Sequence, residues 1–260
     1  MLKIITTLTI FLFGMLAKAQ VTENRNVSEF SKVSVANGIE LIYTEKPAPS
    51  LEIETNNEAT LKNIITEVRG ETLKIYLKKG VAMPSNEMVK VYLTAQDVLA
   101  LEAHSNAKIT IMDQMNAKNI SIILDSGASL TGNIKAFGKT KLYATNETVF
   151  NGKIETNVLQ GNFQGTAKIN LTGNAKKATF RTSDSALLSA KNFVANTIGL
   201  NATGKSIAKL HADNSIALHV TEQASATYTG FPEKIELNEE AHAYKKTDYN
   251  QLVSYQEMRN

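Results

Sequence analysis

Apolar and polar residues alternate along most of this chain with a period of two. Val33 and Val35 are spaced this way, as are Ile39, Leu41 and Tyr43, and Leu51 and Ile53. Leu73, Ile75 and Leu77, and then Val89, Val91 and Leu93, repeat the pattern. Every second side chain of such a run lies on one face, so each run predicts a half-buried strand. One stretch has helical spacing instead. Leu61, Ile64, Ile65 and Val68 recur at i, i+3, i+4 and i+7, which predicts a helix over residues 58–68 with Asn57 as its N-cap. Arg69-Gly70-Glu71-Thr72 ends it and leads into a strand, while Lys46-Pro47-Ala48-Pro49 and residues 80–86 read as turns or loops.

From about residue 98 the apolar runs shorten and small residues dominate. Leu130-Thr131-Gly132-Asn133 recurs as Leu171-Thr172-Gly173-Asn174, with Phe150-Asn151-Gly152-Lys153 between them. Small residues at 132, 152, 173, 190, 212 and 230 mark a period of about 20. Polar corners keep step with them, among them Ser105-Asn106-Ala107, Ser126-Gly127-Ala128-Ser129, Asn146-Glu147-Thr148 and Ser183-Asp184-Ser185. An apolar residue precedes most corners: Leu101, Ile123, Leu142, Phe163, Phe180, Leu200 and Leu218.

A period near 20 with short strands is the mark of a solenoid. Leucine-rich and helical repeats lack support, because no fixed Leu and Asn positions and no sustained 3.6-residue period are present. The reading is an all-β chain forming a parallel β-helix, each coil holding three strands of about 3 to 5 residues. An antiparallel sandwich of Thr-rich strands is the alternative. The expected organisation is a signal peptide over residues 1–19, a β-rich N-terminal part with one short helix over 20–97, β-helix coils over 98–230, and a C-terminal cap and tail over 231–260.

The leader reading rests on Lys3, the apolar run Ile4 to Leu16 and the small-x-small site Ala17-Lys18-Ala19. That run is shorter than the about 20 residues a spanning helix needs. No later stretch is long and apolar enough, so no membrane span is expected in the mature chain, which is read as exported to the periplasm, cell surface or medium. Without Lys3 and Lys18 the balance is 26 basic against 25 acidic residues. No basic run exceeds two residues, which excludes nucleic-acid binding by a basic tract. The absence of cysteine excludes disulfides, thiolate metal sites and a Cys nucleophile.

Candidate chemistry is thin. The Asp residues are scattered, and at coil spacing Asp125, Asn146, Gln164, Asp184 and Ala202 would be neighbours, which is no cage for a metal. His104, His211, His219 and His242 are far apart, although His211 and His219 are close enough in sequence to share a coil. Gly127-Ala128-Ser129-Leu130-Thr131 lacks the second glycine and the following helix of a nucleophile elbow. The strand tyrosines are read as packed or half-exposed on the sheet rather than as sugar platforms. No catalytic, metal or cofactor-binding residue is therefore assigned, no cofactor is expected, and binding residues are left open.

A family resemblance accompanies these patterns. Phe30-Ser31-Lys32-Val33-Ser34-Val35-Ala36-Asn37-Gly38-Ile39-Glu40-Leu41 resembles the opening strand pair of the family called putative auto-transporter adhesin, head GIN domain. Thr72-Leu73-Lys74-Ile75 is similar to its next strand, Ser126-Gly127-Ala128-Ser129 to its recurring corner, and Tyr228-Thr229-Gly230-Phe231-Pro232 to its closing segment. Asn146-Glu147-Thr148 and Ser183-Asp184-Ser185 depart from the pattern by lacking the Gly-Ala core. The resemblance covers about residues 27–245 and implies a right-handed parallel β-helix exported by bacteria, with little said about activity. Residues 231–260 are too few for a membrane barrel of long alternating strands. The expectation is a non-enzymatic, adhesin-like or structural envelope protein presenting a flat face to a surface glycan or envelope protein. The alternatives are a polysaccharide-active β-helix enzyme, which needs grouped carboxylates or an Asp/Lys/Arg group on one face, and a self-assembling structural protein of unknown oligomeric state.

Overall fold

The period-two residues of the N-terminal part all turn inward: Val33, Val35, Ile39, Leu41, Tyr43, Leu51, Ile53, Leu73, Ile75, Leu77, Val89, Val91 and Leu93 are buried. The computed structural model describes residues 20–238 together with the strands at 241–245 and 251–255. The expected leader, residues 1–19, lies outside the described residues, as do parts of the expected tail. The N-terminal strands are β1 (Val21–Arg25), β2 (Lys32–Val35), β3 (Glu40–Glu45) and β4 (Ser50–Thr55). A short helix α1 (Glu58–Leu61) follows, then β5 (Ile64–Arg69), β6 (Thr72–Leu77) and β7 (Val89–Ala95).

The helix is shorter than its spacing predicts. Asn57 does cap it, accepting from the Ala59 N–H at 2.9 Å, but α1 stops at Leu61 and residues 64–69 are strand. Ile64, Ile65, Thr66 and Val68 are β-branched and favour the pleated surface. The register Ile64↔Leu77 to Arg69↔Thr72 makes a hairpin with β6. Pairing along a full ladder outweighs a helix of marginal length.

Beyond residue 98 come β8 (Ala100–Ala103), β9 (Lys108–Ala117), β10 (Ile120–Leu124) and β11 (Ser129–Ala144). They continue as β12 (Val149–Phe163), β13 (Lys168–Thr182), β14 (Leu187–Ala202) and β15 (Ile207–Val220). Each pairs in parallel with the strand one coil away. The column Ile109–Leu130–Phe150–Ile169–Leu188–Ala208–Ala226 advances by 21, 20, 19, 19, 20 and 18 residues. The fold is a right-handed parallel β-helix of about seven turns. β2 and β3 belong to the same stack, β2 lying between β6 and β8, and β3 between β7 and β9, all parallel.

Two details of the repeat differ from the expectation. The coils contain strands of up to 16 residues rather than separate short ones. From β11 to β15 one strand runs from each tight corner to the next, with shifts of register inside some ladders. Gly173 makes a bend inside β13 with φ +106, and a Cβ there would strike the Ile154 carbonyl of the neighbouring coil. The second difference is register. Leu130 aligns with Phe150 and Ile169, so the Leu171-Thr172-Gly173-Asn174 copy sits two residues out of step with Leu130-Thr131-Gly132-Asn133. A two-residue slip preserves the inward face, which is why the sequence pattern tolerates it. Likewise Ile122 points inward in the column Leu101–Ile122–Leu142, and Ile123 points out.

The tight corner is a four-residue turn that recurs from coil to coil. The carbonyl of its first residue accepts from the N–H of its fourth at His104/Ala107, Asp125/Ala128, Gln164/Ala167, Ser183/Ala186, Thr203/Ser206 and Thr221/Ala224. The fourth residues stack as Ala107, Ala128, Thr148, Ala167, Ala186, Ser206 and Ala224, all buried. Both central residues have positive φ at 37/38, 105/106, 126/127 and 146/147, whereas only the first does at 165, 184, 204 and 222. Asn, Asp, Ser and Gly fit those places because they reach positive φ at low cost.

Inside, large residues are matched by small ones one coil away. Leu142, Gly161 and Phe180 form one column, and Ala144, Phe163 and Thr182 the next. A Cβ on Gly161 would lie 2.5 Å from Phe163 Cζ and 2.8 Å from Phe180 Cδ1, so the glycine is the room those rings occupy. Phe180 stands 6.1 Å from Phe163 and 6.3 Å from Phe193, a chain of edge and tilted contacts through three coils.

Antiparallel strands finish both ends. β4 pairs with β7, β1 with β4, and β5 with β6 at the N-terminal end. At the other end β16 (Ser225–Thr229) and β17 (Lys234–Leu237) pair with β15. The hairpin β18 (Ala241–Lys245) and β19 (Gln251–Tyr255) then sets β19 antiparallel against β16. Among the described residues no helix is long and apolar enough to cross a membrane.

Candidate functional site

Strands β6, β2, β8 and β10, and the last segments of β11 to β15, share one side of the stack, here called face 1. Side chains alternate in and out, so the residues between its buried columns must face solvent. Register puts Lys74, Ser34, Glu102, Ile123, Tyr143, Asn162, Arg181, Asn201 and His219 in a single outward row. At the strand spacing this row is about 38 Å long. A second row beside it runs Ser121, Lys141, Gln160, Thr179, Gly199, Ala217 and Glu236.

Grooves open at both ends of face 1. The first, about 440 Å³, is lined by residues that include Glu67, Arg69, Lys74, Tyr76, Glu102 and His104. The β5–β6 hairpin sets Glu67 opposite Lys74. Tyr76 donates its hydroxyl to Glu67 Oε1 at 2.6 Å, and Arg69 Nε lies 2.9 Å from the same carboxylate. The Tyr76 hydrogen bond is the main cause holding the Glu67 carboxyl below its ordinary range, and that bond likewise pushes the Tyr76 hydroxyl up. His104 Nε2 stands 3.7 Å from Glu102. The second groove, about 420 Å³, forms where the outward residues shrink to Thr179, Gly199 and Ala217, with Arg181, Asn201 and His219 along one side and Glu236, Leu237 and Asn238 at the end.

The residues considered from sequence fall elsewhere. Asp125 is a corner residue whose turn position is shared by Thr145, Gln164 and Ser183, not by Asn146 and Asp184. Burial acts to raise the Asp125 pKa, but hydrogen bonds from Asn146, Thr145 and Ser126 outweigh it and keep the carboxyl below its ordinary range. Asp184 is lowered chiefly by the Gly165 N–H, which donates to its Oδ2 at 3.0 Å, and next by Ser183. His211 and His219 do not converge. His211 Nδ1 meets the Thr229 hydroxyl at 2.8 Å and its Nε2 lies 3.3 Å from Asp213, while His219 stands on face 1. Among the described residues no group of three or more His, Asp or Glu could hold a metal. Tyr43 and Tyr228 are buried, Tyr76 and Tyr92 are partly buried, and Tyr143 is exposed, 37% accessible in the middle of the row. The side chains of His242, Tyr244 and Tyr255 lie outside the described residues.

Sequence reasoning missed the row because it grouped Ile123 with Leu101 and Leu142, whereas the register aligns Ile122 with them. Placing Ile122 inward instead makes Ile123, Tyr143, Asn162 and Arg181 neighbours at the repeat spacing. The signal that would have found it is the unbroken Ile120-Ser121-Ile122 alternation leading to Leu124.

With this geometry in place, known proteins give context. The family model described as putative auto-transporter adhesin, head GIN domain, matches residues 29–232. The chain belongs to that family. Solved structures share the fold of this head GIN domain at low identity. One from Parabacteroides distasonis, described as a putative lipid binding protein, is 18% identical with a TM-score of 0.73, covering 84% of this chain and 94% of that one. A putative adhesin from the same organism is 16% identical with a TM-score of 0.71, covering 85% and 97%. Another from Parabacteroides merdae is 17% identical with a TM-score of 0.70, covering 85% and 96%. No curated protein matches the sequence.

Proposed function

We propose that this head GIN domain protein is exported by an N-terminal leader and acts as a non-enzymatic adhesin, holding an extended envelope or surface glycan along face 1. The observation that carries the reading is the continuous outward row from Lys74 to His219, with a groove at each end. A straight row of amide, aromatic and charged side chains suits a long linear partner better than a compact one. Inward positions are filled by the stacked side chains, so a ligand of the described chain meets its outside. The antiparallel strands at both ends weigh against assembly by end-to-end docking.

The test is retention of the purified protein on the polysaccharide fraction of its own cell envelope. Asn162→Trp puts a bulky ring in the middle of the row at a half-exposed position, and it should abolish retention while leaving the melting curve unchanged. Retention equal to that of the unaltered protein would contradict the reading.

A second reading draws on the first groove, where Glu67, Glu102, Arg69, Lys74, Tyr76 and His104 gather as a polysaccharide-cleaving site would require. It predicts release of shortened chains from the same fraction, lost in Glu102→Gln. Unchanged chain length after prolonged incubation would remove it.

A further inference from the structure

The positive charge of the molecule is unevenly placed. Residues 108–230 carry 13 Lys and Arg against 7 Asp and Glu, while residues 20–107 carry 9 against 12. Much of the excess lies on face 1 and the edge leading into it. Lys118, Lys139 and Lys141 line a concavity of about 610 Å³ with Leu99, Asn119, Ile120 and Ser121, and no carboxylate joins them. Further along, Lys177 occupies the edge column of Lys139, and Arg181 the outward row of Tyr143. These five cations are exposed and make no ion pair among the described residues.

Lys118 stands on one coil, Lys139 and Lys141 on the next, and Lys177 and Arg181 two coils further, with Val158, Gln160 and Asn162 on the coil between. The three coil steps from Lys118 to Arg181 span about 14 Å. A sugar in an extended chain advances by nearly the distance of one coil, so these cations lie within reach of several charged sugars of one chain. Exposed Leu99 and Tyr143 supply apolar surface for ring faces.

We infer that the partner of face 1 is a linear acidic polysaccharide, held by Lys118, Lys139 and Lys141 on two adjoining coils and by Lys177 and Arg181 two coils further. This rests on the reading of face 1 given above and names the chemical class of its partner.

The test is calorimetric titration of the purified protein with three chains of equal length: hyaluronan, with a uronate on alternate sugars; polygalacturonate, with one on each; and neutral dextran. Both uronate chains should bind and dextran should not, with binding weakened by added salt. Lys141→Ala combined with Arg181→Ala should cost about tenfold in hyaluronan affinity, within the range that two exposed ion pairs supply. The melting temperature should not move, since both side chains are exposed. Dextran bound as tightly as hyaluronan, or hyaluronan binding unchanged in the double variant, overturns the acidic assignment. None of these results touches the Asn162→Trp experiment, which judges face 1 independently.

Discussion

At the scale of single residues, the interior depends on compensating sizes. Phe180 contacts rings on both sides, so Phe180→Ala should cost about 3–5 kcal/mol in denaturant unfolding. Gly161→Ala should cost about 1–3 kcal/mol, because the added methyl has only ring atoms to displace. A cost near zero for Gly161→Ala would show that the rings are not where the column places them. The opposite sign is expected at Thr140, whose buried hydroxyl finds no partner in a column otherwise filled by Ile120, Leu159, Ala178, Ile198 and Ile216. Thr140→Val keeps the shape and removes the unpaired group, so it should raise stability by about 1 kcal/mol. The corner carboxylates set the acid response. Asp184 is held low by the Gly165 N–H in the folded chain only, so its contribution is complete above the ordinary carboxylate range and disappears as pH falls through the lowered value. Asp184→Asn should flatten the acid limb of a stability–pH curve followed by circular dichroism, and an unchanged limb would argue against the corner bond.

At the scale of elements, the unit is the coil. Each coil contacts mainly its neighbours, so stability should be nearly a sum over coils and interfaces. Removing residues 150–168 joins Val149 to Ile169, which already occupies the place of Phe150 one coil on. That deletion should leave a cooperative, shorter β-helix, whereas removing residues 150–158 breaks the register and should leave no cooperative melt. Alternation revealed these strands clearly because a buried ladder demands an apolar residue at every second place, as in Leu73, Ile75 and Leu77. It could not separate the strand at Ile64 to Val68 from a helix, since Ile64 and Val68, four apart, satisfy both spacings and only pairing with β6 decides. Nor could it place Leu171 against Leu130 correctly, because a slip of two residues leaves every inward residue inward.

At the scale of the whole molecule, the solenoid was legible in the corner spacing and its function much less so. Corners repeat because the turn needs small residues of positive φ, and that demand writes itself into Ser126-Gly127-Ala128 or Gly165-Thr166-Ala167. The outward row carries no such constraint: Tyr143, Asn162, Arg181 and His219 share no residue type, and only the register assembles them into a surface. The account therefore stands on coils stacked in one straight register from end to end. A chain without cysteine allows this to be measured with two introduced labels. Spin labels at Glu102→Cys and His219→Cys, six coils apart in the outward row, should report one narrow distance of about 29 Å. A broad distribution, or the separation of about 10 Å between two packed sheets, would contradict the stack and the face built on it.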